Sequence, residues 1–288
     1  MNDFARAAAF RGLTGGTSIR VSLAILLVVT AVALLGPFLS PNDYFSTNFD
    51  QRLEAPSLQE GQLFGTDDLG RDLFVRSLAG TRVTLLVAVV ASLVSLVIGV
   101  AYGAIAGYAG GKVDALMMRV VDALYALPFV FLVILLMVAF ERNFLLIFVA
   151  IGAINWLDMA RIVRGQTLSL KRREFVDAAR LCGVPPVKIV FRHIVPNLLG
   201  VVVVYVTLTI PQAILVESFL SFLGLGVQEP QTSLGALVND GVAQMERAPW
   251  MLLIPATLLA IILLAFNFLG DGLRDAVDPR QQARQQRL

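Results

Sequence analysis

The sequence predicts an all-α, polytopic membrane protein with six transmembrane helices. Two observations carry that reading. The chain has 288 residues, of which 57% are hydrophobic and only 15% charged, whereas soluble domains average about 25% charged. The apolar residues are also gathered into six runs without Asp, Glu, Lys or Arg, at residues 21–42, 83–111, 123–140, 143–157, 194–216 and 248–270. In lipid every backbone polar group must be satisfied internally, by a helix or a closed barrel. Continuous runs, not two-residue alternation, select helices.

About 20 apolar residues cross a bilayer, and five of the six runs reach or approach that length. The fourth is cut short by Asp158. Residues 143–160 nevertheless contain nine Leu, Ile, Val or Phe residues, worth about −3 to −5 kcal/mol for insertion, against about +3 kcal/mol for an Asp at the bilayer centre. Asp158 lies near the end of the segment, where the cost is lower, so it counts as a span. The first run, preceded by Arg6, Arg11 and Arg20, imitates a cleavable signal sequence with Ala31-Val32-Ala33 at the cleavage position. The apolar run continues past that site to Leu39, longer than a signal h-region, which favours a retained helix.

With the N-terminus in the cytoplasm, 17 of the 23 Lys and Arg residues fall in inner segments and 6 in outer ones. This positive-inside bias puts both termini and residues 158–193 in the cytoplasm. A net charge of +2, with no RNA-binding or zinc-finger pattern, gives no reason to expect nucleic acid as a partner. One cysteine, Cys182, excludes an intramolecular disulfide, and no Cys/His cluster has metal-ligand spacing. Gly110-Gly111-Lys112-Val113 lacks the spacing and the hydroxyl residue of a phosphate loop. With no Walker A pattern in the chain, energy from ATP would have to come from another polypeptide. No nucleophile–base pair suggests an enzyme.

Gly99, Gly103 and Gly107 recur every four residues, a face that lets another backbone approach closely; packing within this chain is favoured over contact with a partner chain. Residues 65–72 are outside, where Thr and Asp can cap a helix running through residues 73–77; contact with an external partner protein is the alternative. Asp122 with Arg119, and Asp158 with Arg161, read as ion pairs along single helices near the inner surface. Glu217 stands at the outer end of the fifth span, where it can face a translocation path, sense substrate charge or reach the outer headgroups. Residues 280–288 form a Gln/Arg-rich tail, expected to be disordered.

One polar stretch, residues 174–197, interrupts the apolar chain. Residues 174–181 are good helix formers led by Glu174, favourable to the helix dipole. Gly183 is placed to end that helix, and Pro186 to open another. The second helix aligns Val187, Val190, Phe191 and Ile194 as an apolar stripe. Pro196 marks entry to the fifth span. Two short helices at a sharp angle result, suited to docking in a partner's groove or to lying on anionic headgroups. Ala178 and Ala179 are small enough for a partner to come close.

Asp177-Ala178-Ala179-x-x-x-Gly183, with Pro196 thirteen residues after the glycine, resembles the EAA loop of permease subunits in binding-protein-dependent ABC importers. Asp177 stands where that family has Glu, His193 in its Ile slot and Val195 in its Leu slot. Residues 64–82 (FGTDDLGRDLFVRSLAGTR) resemble the peptide/nickel class. Residues 217–230 (ESFLSFLGLGVQEP) and 266–280 (FNFLGDGLRDAVDPR) resemble the oligopeptide-type C subunit.

That resemblance implies a type I ABC importer permease fold in a bacterial inner membrane. It divides the chain into an N-terminal extension at 1–80, a permease core at 81–271 with its coupling loop at 163–196, and a cytoplasmic tail at 272–288. It implies half of a pathway for short peptides, among membrane lipids. The partners would be a paralogous B-type permease, two cytoplasmic ABC ATPases holding ATP and Mg, and an extracytoplasmic substrate-binding protein; the chain itself would carry no cofactor. Asp177, Ala178, Ala179, Arg180, Gly183, Pro186, His193 and Pro196 would form the ATPase-coupling site, and Glu217 remains a pathway residue. Nickel or another small solute is an alternative cargo, although no His or Cys within a span offers a soft ligand. A stand-alone secondary transporter would need midplane carboxylates and broken helices in inverted repeats, which the sequence does not display.

Overall fold

A computed structural model describes residues 17–39, 43–57, 62–128, 131, 135 and 144–277. The described regular elements are α1 (Thr17–Leu39), a 3-10 turn (Phe49–Gln51), α2 (Leu73–Ala109), α3 (Gly111–Tyr125), α4 (Phe144–Leu170), α5 (Glu174–Leu181), α6 (Pro186–Ile189), a π-helical turn (Val190–Ile194), α7 (Val195–Phe222), α8 (Leu234–Ala243) and α9 (Trp250–Val277). Among the described residues, four helices are long and apolar enough to cross a membrane: Thr17–Gly36, Leu73–Ala109, Pro186–Phe222 and Trp250–Ala276. They carry the first, second, fifth and sixth predicted runs. The fourth run lies on α4, which continues past Asp158 to Leu170. The predicted third span, 123–140, lies mostly outside the described residues, and the tail at 280–288 entirely so.

The 37-residue helices measure about 55 Å at 1.5 Å per residue, against about 30 Å of hydrocarbon. Both therefore extend beyond the lipid. α2 begins ten residues before its charge-free run, where Asp72 accepts the Phe74 N–H at 2.8 Å. The expected capping role for residues 65–72 is met there. Pro196 stands at the start of α7, as expected, and the second short helix runs through the π turn directly into it. Pro196 has no N–H to give, and the ladder changes register just before it, with Val195 N–H bonded to the Val190 carbonyl.

The chain divides into two compact units. The first contains Val90–Thr209. Its core joins Ala104 of α2, Met159 and Val163 of α4, Val176 and Ala179 of α5, and Ile189, Val190, Ile194, Leu198 and Val202 of the α6–α7 stretch. The glycine stripe of α2 packs here, on α4. A Cβ on Gly103 would stand 2.3 Å from the Ala160 carbonyl oxygen, and one on Gly107 2.8 Å from that of Arg164. The stripe is thus used within the chain, as its spacing predicts.

The second unit contains Phe10–Val89 and Ile210–Gly272. α1 turns Ile19, Ser22, Leu26 and Ala33 inward and leaves large apolar side chains such as Leu27, Val28, Leu34 and Leu35 uncovered, as lipid contact requires. Near its end Pro37 supplies no N–H, so the Ala33 carbonyl loses its helical donor. Arg82 of α2 donates to that carbonyl through Nε and to the Leu34 carbonyl through a terminal nitrogen. The segment around Thr66 folds onto α9: Thr66 Oγ1 donates to the Gln51 carbonyl at 2.6 Å, and Trp250 Nε1 donates to the Thr66 carbonyl at 3.3 Å. Leu73, Leu237, Ala248 and Met251 are buried beneath it.

Candidate functional site

The polar stretch forms two short helices joined by the turn its glycine requires. Gly183 has φ +71°, a left-handed conformation that costs other residues about 1–2 kcal/mol. Its N–H bonds the Arg180 carbonyl at 2.9 Å, and Val184 N–H reaches back to the Ala179 carbonyl at 3.1 Å. This pair of bonds closes the end of α5 as a Schellman motif. Pro186 occupies the first turn of α6, as predicted. Glu174 and Asp177 stand in the first turn of α5, at the positive end of its dipole.

The two faces of this helix pair differ. Val176 is wholly buried and Ala179 is 8% exposed, both in the core of the first unit. Burying Val176 contributes about 2 kcal/mol. On the other face lie Asp177 and Ala178, with Leu181 90% exposed. Sequence reasoning placed both alanines toward a partner. In the structure Ala178 is exposed, whereas Ala179 is buried in the chain's own core. The predicted apolar stripe also divides. Val190 and Ile194 are buried, while Val187 and Phe191 are exposed. These two line an open groove with Pro185, Lys188, Arg192 and Pro196. The buried face is centred between Val190 and Ile194, and Phe191 lies about 100° further round the helix. His193 is partly buried, and its carbonyl accepts the Asn197 side chain at 2.6 Å.

Asp177 pairs with Arg180 at 3.0 Å. The Arg180 guanidinium carbon lies 5.4 Å from the centroid of the Tyr108 ring, at the end of α2. Lys171, just beyond α4, donates to the Tyr108 carbonyl at 2.6 Å. Nearby, Arg164 of α4 grips Asp114 of α3 with two bonds of 2.6 and 2.7 Å. That bidentate bond, together with the charge of Arg164, holds the Asp114 carboxyl below its usual range. Neither this clamp nor Tyr108 was found from the sequence, because the partners are remote in the chain and no periodicity links them.

The expected ion pairs along single helices are replaced by tertiary ones among the described residues. Asp122 accepts from Arg161 at 2.7 Å, not from Arg119. Asp158 accepts from the Tyr125 hydroxyl, and the Arg161 guanidinium lies 4.1 Å from the Tyr125 ring centroid. α4 runs beside the α3 segment, so Arg161 finds a carboxylate across the gap more readily than one on its own turn.

Glu217 is fully buried, so in this conformation it reaches neither headgroups nor an open surface. Its carboxylate accepts from Ser221 at 2.7 Å and from Thr84 at 3.3 Å. Thr84 in turn accepts the Leu234 N–H at the start of α8, at 3.1 Å. The carboxylate thereby fastens α2, α7 and α8. A second polar cluster lies in the same unit. Asp67 accepts from Arg71 and Arg76, each at 2.6 Å, and Arg71 continues to Glu229 at 2.7 Å. No group of three or more His, Cys, Asp or Glu residues among those described could hold a metal.

Comparison with known proteins agrees with this architecture. The family described as the binding-protein-dependent transport system inner membrane component matches residues 99–283. The N-terminal TM domain of oligopeptide transport permease C matches residues 19–56. The chain is 56% identical to the oligopeptide transport system permease protein OppC of Escherichia coli strain K12, over 91% of this chain and 86% of that protein. It is 53% identical to the OppC of Haemophilus influenzae, over 91% and 84%. It is 44% identical to the dipeptide transport system permease protein DppC of Bacillus subtilis, over 94% and 85%. With the long apolar helices and the polar helix pair already in place, the chain belongs to the family of binding-protein-dependent transport system inner membrane components.

Proposed function

We propose that this chain is a permease subunit of an ATP-driven importer of short peptides and provides half of the pathway. The cargo class is inferred from the oligopeptide and dipeptide permeases it resembles. In this reading a paralogous permease supplies the other half, two cytoplasmic ATPases hold ATP and magnesium, and an external protein delivers the peptide. The chain crosses a bacterial inner membrane with both termini in the cytoplasm; the distribution of Lys and Arg supports that orientation.

Coupling to the ATPases runs through residues 163–196. One observation carries this reading: the helix pair seals Val176 and Ala179 into the protein core while exposing Asp177, Ala178 and Leu181. An element anchored on one side and bare on the other can be gripped and can transmit force. Asp177 and Ala178 would meet the ATPase directly, with Gly183 and Pro186 fixing the angle behind them. Arg180, His193 and Pro196 would shape its edge, and Ala179 supports it from beneath. Closure of the ATPases on ATP would then move the loop and rock the pathway, to the extent that the ligands distinguish the two states.

The test is uptake of radiolabelled trialanine into vesicles holding this chain and its transport partners. Accumulation should require both ATPases and ATP; uptake without ATPases would overturn the importer reading. Asp177→Lys should leave insertion intact, since the side chain is 59% exposed. Uptake should fall by about tenfold, as for a coupling free energy of 1–3 kcal/mol. Unchanged uptake would remove the loop from the mechanism.

A further inference from the structure

We propose that Tyr108 is the positioning residue through which the coupling helix α5 acts on the end of α2. The proposal rests on the coupling role assigned above to residues 163–196.

Three elements meet at this side chain and its carbonyl. Tyr108 is the penultimate residue of α2 and packs against the core that holds Val176 and Ala179. Its carbonyl is one of the orphan acceptors at a helix end and takes the Lys171 ammonium at 2.6 Å. Its ring receives cations: the Arg180 guanidinium carbon at 5.4 Å and the Lys171 nitrogen at 5.8 Å from the centroid. Both lie within the roughly 6 Å over which a ring attracts a cation. Arg180 is itself held by Asp177 at 3.0 Å. A chain of contacts therefore runs from the exposed acid of the loop, through Arg180, to the end of α2.

The two kinds of contact beneath α5 differ in what they can transmit. Val176 and Ala179 provide apolar burial, which is not directional and lets a short helix roll against its bed. The guanidinium on the ring adds a second, directional point of attachment away from that seam. The seam also reaches α2, through Ala104, so it carries part of any movement; the guanidinium on the ring adds the directional part, and without it less of a turn of α5 reaches the end of α2. What α2 receives it shares with α4, because Gly103 and Gly107 bring the two backbones into contact. Asp114 and Arg164 tie α3 to the same helix. Tyr108 thus stands where a movement of the loop enters the α2–α4 pair.

The experiment uses the assembled importer in vesicles, comparing wild type with Tyr108→Ala, Tyr108→Phe and Arg180→Gln. Trialanine uptake, ATP hydrolysis, co-purification of the ATPases and melting temperature are measured together. Tyr108→Ala should lower peptide accumulated per ATP hydrolysed by about tenfold, with ATPase co-purification retained. Tyr108→Phe keeps the ring but removes the hydroxyl that Arg180 also bonds, so it should lose less than Tyr108→Ala. Arg180→Gln should match Tyr108→Ala, and the double variant should be no worse than either, since both remove one interaction. An unchanged uptake-to-hydrolysis ratio in Tyr108→Ala, or fully additive losses in the double variant, would overturn the proposal. A ratio that falls only in step with melting temperature would also overturn it, leaving Tyr108 a structural residue. Failure of the underlying coupling reading looks different: wild-type uptake would then be independent of the ATPases.

Discussion

Asp240 is half-buried on α8, close to the ion chain that runs from Asp67 through Arg71 to Glu229. Its nearest cation is Arg76, at 3.6 Å. Burial pushes its carboxyl up to about 6, helped by the charges of Asp68, Glu229 and Asp67 and opposed by Arg71. The folded protein therefore holds this proton more tightly than the unfolded chain between the ordinary value of 3.8 and about 6. Stability from this group rises as pH falls through that window and is lost as pH climbs past 6. Asp240→Asn, which mimics the protonated form, should raise the melting temperature at pH 7.5 and have little effect at pH 4. Thermal melts of the purified complex at both values check it. At this scale the sequence was only partly readable. Gly183 and Pro186 announced their roles because backbone chemistry restricts what else they can do. Arg161, Ala179 and Glu217 did not, since a charge or a methyl group takes its meaning from neighbours that only the fold supplies. Arg161 satisfied the one-helix rule on paper, yet chose Asp122 across a helix boundary.

Contact between α2 and α4 is made backbone to backbone, and this sets a sharp contrast between two glycines. A Cβ on Gly103 would stand 2.3 Å from the Ala160 carbonyl oxygen, whereas one on Gly165 of α4 would meet nothing within 4 Å. Gly103→Val should separate the helices and cost about 1–3 kcal/mol. Gly165→Ala should be neutral or stabilising by up to about 1 kcal/mol. Melting temperature and the yield of assembled complex distinguish the two. Elements were the most legible level of this protein. An uninterrupted apolar run in lipid has one structural solution, so α1, α2, α7 and α9 follow from composition alone. Their ends were less legible: α2 begins ten residues early because a capped, ion-paired segment outside the lipid extends it. Pro196 stands at the start of α7, as expected, but the π turn before it joins the preceding short helix to α7 without a break.

For the whole molecule, the orientation is open to a direct measurement with the protein's one cysteine. Cys182 is exposed at the end of α5, inside the loop assigned to the cytoplasm. In vesicles containing the chain without ATPases, a membrane-impermeant maleimide should label it only from the cytoplasmic side. Labelling from the outside would invert the orientation and end the coupling proposal. The family was legible because its motifs are spread along the chain in order, while the internal joints were not, because they depend on which distant segments meet. One such joint constrains how the sequence can drift. Pro37 takes a donor from α1, and Arg82 brings one from α2. Replace the proline alone and the carbonyl, with two lone pairs, can take both donors; replace the arginine alone and it loses the guanidinium with no helical amide to take its place. The arginine thus makes the proline tolerable, and its loss should be felt more than the loss of the proline.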